Sequence, residues 1–178
     1  MVIPNDIEKI KRDVHQPLKW SEYDSTNVRD NTNCFSHAVG SVVPLINYYR
    51  LGMLSEKKGI KEEYLSIEEI KDLFLSDMSI LNLKVEEISY ADTSKFSLLK
   101  SIPNIELQSN QHIVVLFVKI YKYMGRECIR DFHFIRYDKE KGWSEKWRRR
   151  NVYFFQDITI GWPSGWNDRM VGVFKITR

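Results

Sequence analysis

Residues 130–147, "RDFHFIRYDKEKGWSEKW", decide the fold. Polar and apolar residues alternate in the first part, which is the pattern of a β-strand with two different faces. "DKEKG" has the composition of a tight turn, and "WSEKW" follows it as a returning strand. A turn centred near Glu140 places residue 145 almost opposite residue 135. The segment therefore predicts an antiparallel hairpin in which Glu145 shares a face with His133, one diagonal step away.

Strands and helices separate along the rest of the chain. "HIVVLFVKIY" precedes the hairpin as a buried run rich in branched and aromatic residues, and "NVYFFQDI" and "MVGVFKIT" follow it. Helical patterns come earlier: one begins at Cys34, and another follows the capping box of Ser66 and Glu69. This order predicts an α+β, papain-like architecture, with an N-terminal cysteine-bearing helix packed on a C-terminal antiparallel β-sheet of about five strands.

Length and composition indicate one globular domain. The 178 residues divide into an N-terminal arm (1–30, a short helix and an extended stretch), a mainly helical half (31–105) and a β-sheet half (106–178). With 43% hydrophobic and 29% charged residues and no run of membrane-spanning length, no membrane association is expected. The N-terminus lacks the apolar region of a signal peptide, so we expect a cytoplasmic monomer, with lysis or dedicated export as the alternative routes out.

The charge pattern leaves the partner open. The formal net charge is only +3, although five basic residues fall between positions 141 and 150. Such a run favours either an anionic partner or a solvated face. Because the net charge is small and no known binding module is present, nucleic-acid binding is not expected as the main function.

Cys34 occupies an informative position. It follows Asn31, Thr32 and Asn33, which favour turns and helix starts, and small or apolar residues come after it. A helix N-terminus presents unpaired N–H groups and a partial positive charge, which lower a thiol's pKa and stabilise an oxyanion beside it. Cys34 is therefore the candidate nucleophile. The alternative is a small, buried, unreactive side chain.

Among the four histidines, His133 is the best candidate base. His15 lies in the polar arm, His112 opens a strand and is expected to be exposed, and the ring of His37 should point along the cysteine helix. His133 lies in the middle of a strand that is expected to pack against that helix, as a thiol–imidazole pair requires. Its alternative role is an ordinary structural histidine.

A third group should orient the imidazole, and the hairpin supplies Glu145. A carboxylate there would hold the ring's tautomer and stabilise the imidazolium. If the strand register differs, Asn151 or Asp157 takes its place. The alternative for Glu145 is an exposed side chain among lysines.

"NCFSHAVG" together with "DFHFIRYDKEKGWSEK" resembles the papain-like superfamily of cysteine peptidases. The resemblance covers two short motifs. It is strongest to compact bacterial NlpC-type and CHAP-type cell-wall amidases and endopeptidases, and to uncharacterised bacterial proteins with patterns such as "NCYAYA" and "DYHFYR…G.WSHK". It implies that Cys34 is the nucleophile and His133 the base. The third position, often histidine in "WSHK", is Glu145 here. The family also often uses an upstream polar side chain in the oxyanion hole, for which Asn33 or Asn31 is the candidate.

A metal site is the first alternative chemistry. Cys34 and His37 form a C-x-x-H pair, and Cys128 lies five residues before His133. On a regular strand, that second spacing places the two side chains on opposite faces, and no C-x-x-C is present. No metal and no cofactor are expected.

Tryptophans are concentrated near the C-terminus. Four of the five, Trp143, Trp147, Trp162 and Trp166, form either core and lid packing, which is the favoured interpretation, or an aromatic wall for peptide or glycan. Trp143, Trp162 and Trp166 are the candidate substrate contacts.

The sequence thus predicts a cysteine-dependent amide-bond hydrolase, a peptidase or amidase, that acts through an acyl-enzyme on a peptide, a protein or a peptidoglycan fragment. Deamidation or acyl transfer on the same scaffold, and a catalytically inactive binding protein, are the alternatives.

Overall fold

The computed structural model describes residues 4–17, 20–43, 51–55, 65–88, 99–147, 150–156 and 168–178. Four helices precede most of the sheet: α1 (Pro4–Val14), α2 (Thr26–Asn31), α3 (Cys34–Val39) and α4 (Ile67–Ile80). The strands are β1 (Lys84–Glu87), β2 (Gln111–Tyr123), β3 (Arg126–Asp138), β4 (Gly142–Lys146), β5 (Val152–Phe155) and β6 (Asp168–Thr177). Short 3₁₀ turns cover Trp20–Asp24 and Ile102–Asn104.

The strands form one antiparallel sheet with helices packed on it, so the predicted α+β class is confirmed. Within the described ranges the sheet has six strands in the order β1-β6-β2-β3-β4-β5, against about five expected. The extra edge strand is β1, a short segment that pairs with β6 although it precedes most of the sheet in sequence. The N-terminal arm also differs from expectation, since it contains two helices, α1 and α2.

Both faces of the sheet are covered, as the continuous apolar run of β2 predicts. Val114, Leu116 and Val118 pack toward the helices, together with side chains from α1, α3 and α4. The alternate residues of β2 face a second cluster on the other side of the sheet. We call these the helix face and the opposite face; the second is built around Leu99, Ile102, Leu107, Ile113, Val115, Phe117, Ile135, Trp143, Phe155 and Val173.

The β3–β4 hairpin forms in the predicted register. Asp138 pairs with Gly142 at the turn, and Ile135 pairs with Glu145 at the other end of the ladder. Gly142 has a φ of +76°, a left-handed conformation that glycine adopts without strain. The turn therefore fixes which residues of the two strands face each other.

His112 is buried, and the expectation that it is exposed is wrong. Its Nε2 donates to the carbonyl oxygen of Ala38 at 2.8 Å, on the helix face. Burial lowers the pKa of His112 well below its ordinary value, so the ring is neutral. It serves to tie the end of α3 to β2.

A buried carboxylate holds the loop at residues 51–55 against α4. The side chain of Asp77 accepts the N–H groups of Gly52 at 2.7 Å and Ser55 at 2.9 Å. These charge-assisted hydrogen bonds satisfy loop donors that would otherwise be desolvated without a partner.

We expect Asp77→Asn to lower the free energy of unfolding by about 2 kcal/mol, because an amide accepts through one oxygen only and cannot satisfy both N–H groups as a carboxylate does. The measurement is denaturant unfolding. Asp72→Asn, an exposed change on the same helix, is the matched control. Equal stability of the two variants would contradict this role of Asp77.

Candidate active site

Cys34 is the first residue of α3, and Asn33 caps the helix. The Asn33 Oδ1 accepts the N–H groups of Phe35 at 3.0 Å and Ser36 at 3.1 Å. Ser36 completes a capping box by accepting the Asn33 N–H. The "NC" pair therefore places the cysteine at the helix start, and its own N–H is left outside the capping interaction.

Helix α3 packs on the helix face of β3 and β4. The ring of Phe35 lies 5.9 Å from that of Phe134. Arg136 donates to the carbonyl oxygen of His37 at 3.0 Å, and His37 Nε2 lies 3.0 Å from the Ser144 hydroxyl oxygen. Even-numbered residues of the hairpin thus meet the helix.

His133 and Glu145 meet on the opposite face. His133 Nε2 lies 3.1 Å from Glu145 Oε2, and both side chains are buried. The indole ring of Trp147 stacks on the imidazole, with ring centroids 4.0 Å apart. The predicted register and shared face of His133 and Glu145 are confirmed; their catalytic roles stay predictions.

The sulfur of Cys34 reaches the level of the sheet itself. The backbone N–H of Phe134, a group that lies in the plane of the strands, lowers the pKa of the thiol, so the sulfur lies near it. β2 pairs with β3 through this stretch, whereas the β3–β4 ladder ends at Ile135 and Glu145. The sulfur therefore lies where β4 separates from β3, between the two faces.

This position brings the thiol close to the main chain beside His133. The main-chain N–H groups of Cys34, Phe35 and Phe134 lie near enough to the sulfur to lower its pKa. The structure thus joins His133 to Glu145 directly, and the pairing of Cys34 with His133 stays a prediction.

The thiol of Cys34 has a raised pKa. Burial moves it from 9.0 to about 12, and the negative charge of Asp131 acts in the same direction. The N–H groups of Phe134, Phe35 and Cys34 lower it, but by less than burial raises it. The direction is opposite to the expected lowering, because burial of the sulfur outweighs the start of a six-residue helix, although the residue as a whole is only half-buried.

The other predicted polar residues lie in different places. Asn31 donates its amide to the carbonyl oxygen and side chain of Asn27, so the structure does not bring it to the sulfur. Asn33 uses its oxygen as the helix cap, and its part in an oxyanion hole stays a prediction. Asn151 is exposed before β5, and Asp157 lies outside the described residues.

The expected aromatic wall is not formed by Trp143. This residue is buried on the opposite face, 5.1 Å from the ring of Tyr137, so the interpretation as a substrate contact is wrong. Trp143 is an odd-numbered residue of β4, and it belongs to the core cluster on the opposite face of the sheet. Trp162 and Trp166 lie outside the described residues. Sequence reasoning grouped Trp147 with the C-terminal tryptophans and did not predict its stacking on His133, for which its place two residues after Glu145 was the available signal.

Residues considered as metal ligands lie apart in the structure. His37 contacts Ser144, while the Cys128 sulfur lies 3.8 Å from the carbonyl oxygen of Arg126. In the described part of the chain, no group of three or more histidine, cysteine or acidic side chains is arranged to hold a metal ion.

A scan against protein-family models, a search of curated proteins and a search of solved structures each found no match. Separately, none of the helices in the described ranges is both long and apolar enough to cross a lipid bilayer.

We expect alkylation of Cys34 by iodoacetamide to keep accelerating as pH rises to 10. With a pKa of about 12, the thiolate fraction still grows about tenfold per pH unit there, whereas that of a small free thiol levels off above about 8.5. Mass spectrometry of the labelled peptide, with glutathione as reference, measures both. A Cys34 rate that is already constant at pH 7 would contradict a protonated resting thiol.

Proposed function

We propose that this protein is a cysteine-dependent amide-bond hydrolase that uses Cys34, His133 and Glu145. The observation that supports it best is the buried His133–Glu145 contact of 3.1 Å, one residue from the N–H that touches the Cys34 sulfur. A nucleophile at a helix start, a strand imidazole and a carboxylate on the neighbouring strand are the three parts of a thiol hydrolase. The papain-like resemblance of the two motifs assigns the same roles to Cys34 and His133.

The resting state in this proposal is a neutral thiol with His133 as general base. Since Nε2 faces Glu145, Nδ1 is the ring atom that accepts the proton from the sulfur. Glu145 holds the tautomer and stabilises the imidazolium that forms. Trp147, stacked on the ring, restricts its orientation and attracts its positive charge.

The thiolate attacks the carbonyl carbon, and the electron pair of the C=O bond moves to oxygen. The N–H groups of Cys34 and Phe134 both act on the sulfur, and they are the donors we assign to that oxyanion. His133 returns its proton to the leaving amine as the C–N bond breaks, which leaves a thioester. Water, deprotonated by His133, then hydrolyses the thioester and regenerates the thiol.

The substrate class is a peptide, a protein or a peptidoglycan fragment, and no cofactor is required. Deamidation and acyl transfer use the same intermediate and differ only in the group that enters or leaves. We place the protein in the cytoplasm, with lysis or dedicated export as routes to a cell-wall substrate. Its two free cysteines suit a reducing compartment.

One observation favours a second candidate, a catalytically inactive binding protein. Burial raises the pKa of Cys34 to about 12, which is the condition of an unreactive structural cysteine. In that case the His133–Glu145 pair stabilises the hairpin and has no chemical role.

We expect 4-nitrophenyl acetate to acetylate Cys34, because an activated ester replaces the unknown substrate in forming the thioester. His133→Ala should slow this acetylation by about 100-fold or more, since it removes the general base. Intact-protein and peptide mass spectrometry measure the rate. Cys128→Ser is the control and should leave it unchanged. Equal rates in wild type and in a folded His133→Ala variant would support the binding-protein candidate.

Glu145→Gln should reduce acetylation of Cys34 by about tenfold or more, because an amide can hold the ring but does not neutralise the imidazolium. Glu140→Gln, an exposed change in the same hairpin, is the matched control. If both variants react like the wild type, Glu145 has no part in the chemistry.

A further inference from the structure

Lys146, the last residue of β4, has a buried side chain that links three segments around Cys34. Its Nζ donates to the carbonyl oxygen of Arg29 in α2 at 2.9 Å. It also donates to the carbonyl oxygen of Arg150, beyond the end of β4, at 2.8 Å. Since α3 begins soon after α2, this ammonium ties the α2–α3 junction to the strand that carries Glu145.

Consecutive residues of a strand point to opposite faces, and β4 uses this alternation at its end. Glu145 faces His133 on the opposite face. Lys146 faces α2 on the helix face, where Cys34 begins α3. One short strand end therefore contacts His133 on one face and, on the other, the helix that precedes Cys34.

Lys146 also contributes charge at this place. Burial lowers the pKa of its ammonium to about 8, while the attraction of Asp30 and of the Cys34 sulfur acts to raise it. Taking an ammonium out of water costs free energy that a methionine of similar length would not incur. A buried cation beside a sulfur is an arrangement that stabilises a thiolate.

We propose that Lys146 is a positioning residue for Cys34, which holds the sulfur where β4 separates from β3 and keeps a positive charge beside it as the thiol loses its proton. This inference rests on the proposed function of the same site. Lys146 itself forms no bond to the substrate. It acts on Cys34, whose negative charge develops next to Nζ when His133 takes the proton.

Other charged groups act on the same place from each neighbouring element. Those with an electrostatic effect on Lys146 or Cys34 are Arg29 and Asp30 on α2, His37 on α3, and Asp131 on β3; His133 acts on His37. Asp30 favours the charged form of Lys146 and Arg29 opposes it. Asp131 opposes the thiolate, and the Cys34 sulfur in turn favours the charged form of Lys146 on β4.

The test is the rate of iodoacetamide alkylation at Cys34 in wild type and in Lys146→Met, measured from pH 7 to pH 10. At pH 7 Lys146 is charged, so we expect the wild type to react about tenfold faster than the variant. By pH 10 the wild-type amine is neutral, and the two rates should approach each other. Lys175→Met, a change on β6 that removes an ion pair with Glu86, is the control and should follow the wild type throughout.

A purely structural lysine would change the rate by the same factor at every pH, and that result, or no change at all, would overturn the inference. If Lys146→Met does not fold, the wild-type profile decides. Its logarithmic slope should fall below one through pH 8, as Lys146 loses its proton, and an unbroken slope of one would again overturn it.

Alkylation does not require catalysis. A pH-dependent effect of Lys146 without acetylation by the ester would therefore reject the hydrolase and keep the role of Lys146. Acetylation that depends on His133, without a pH-dependent effect of Lys146, would keep the hydrolase and reject the role of Lys146.

Discussion

The end of the β3–β4 ladder, at Ile135 and Glu145, is the constraint on which the rest of the candidate site depends. A continuous sheet separates its two faces, because side chains of adjacent residues point in opposite directions and the main chain lies between them. Cys34 belongs to a helix on one face, and His133 and Glu145 lie on the other. The N–H of Phe134, just beyond the end of that ladder, lowers the pKa of the thiol, so the Cys34 sulfur lies near this break in the sheet.

Buried polar contacts keep that junction in place. Arg136 makes two 2.7 Å contacts with Asp138 and a 3.0 Å contact with the His37 carbonyl oxygen. Ser144 meets the His37 ring from the next strand. A buried guanidinium is stable only when its donors are satisfied, so these contacts demand one placement of α3 on the hairpin. The fold thus positions Cys34 through the residues that follow it in α3.

Local patterns predicted the hairpin well and the location of the thiol poorly. The alternation around His133 and the turn at Glu140 are short-range features, and they sufficed to predict that Glu145 reaches His133. The sequence placed Cys34 at a helix start, but it did not indicate which face the helix covers or how much water the sulfur loses. Those properties depend on packing between distant segments. The burial of His112 was missed for the same reason, whereas that of Trp143 agrees with the core packing considered for it.

The raised pKa of Cys34 has two opposite effects on the reactivity of the thiol: it lowers the thiolate fraction and makes the thiolate a better nucleophile. Their balance is compatible with a general-base mechanism. A shift from 9.0 to about 12 reduces the thiolate fraction at neutral pH by roughly 1,000-fold. A more basic thiolate is also a better nucleophile. With a Brønsted coefficient of about 0.4–0.5, this raises the reaction rate of the thiolate roughly 20-fold and so offsets part of the loss. The remaining deficit is about 50-fold, and a well-placed general base typically contributes about 100- to 10,000-fold. In the proposed mechanism, the imidazole that Glu145 and Trp147 hold in place therefore outweighs the desolvation of the thiol. The same desolvation keeps Cys34 protonated, and so protected from oxidation and alkylation, until a substrate carbonyl is bound beside it.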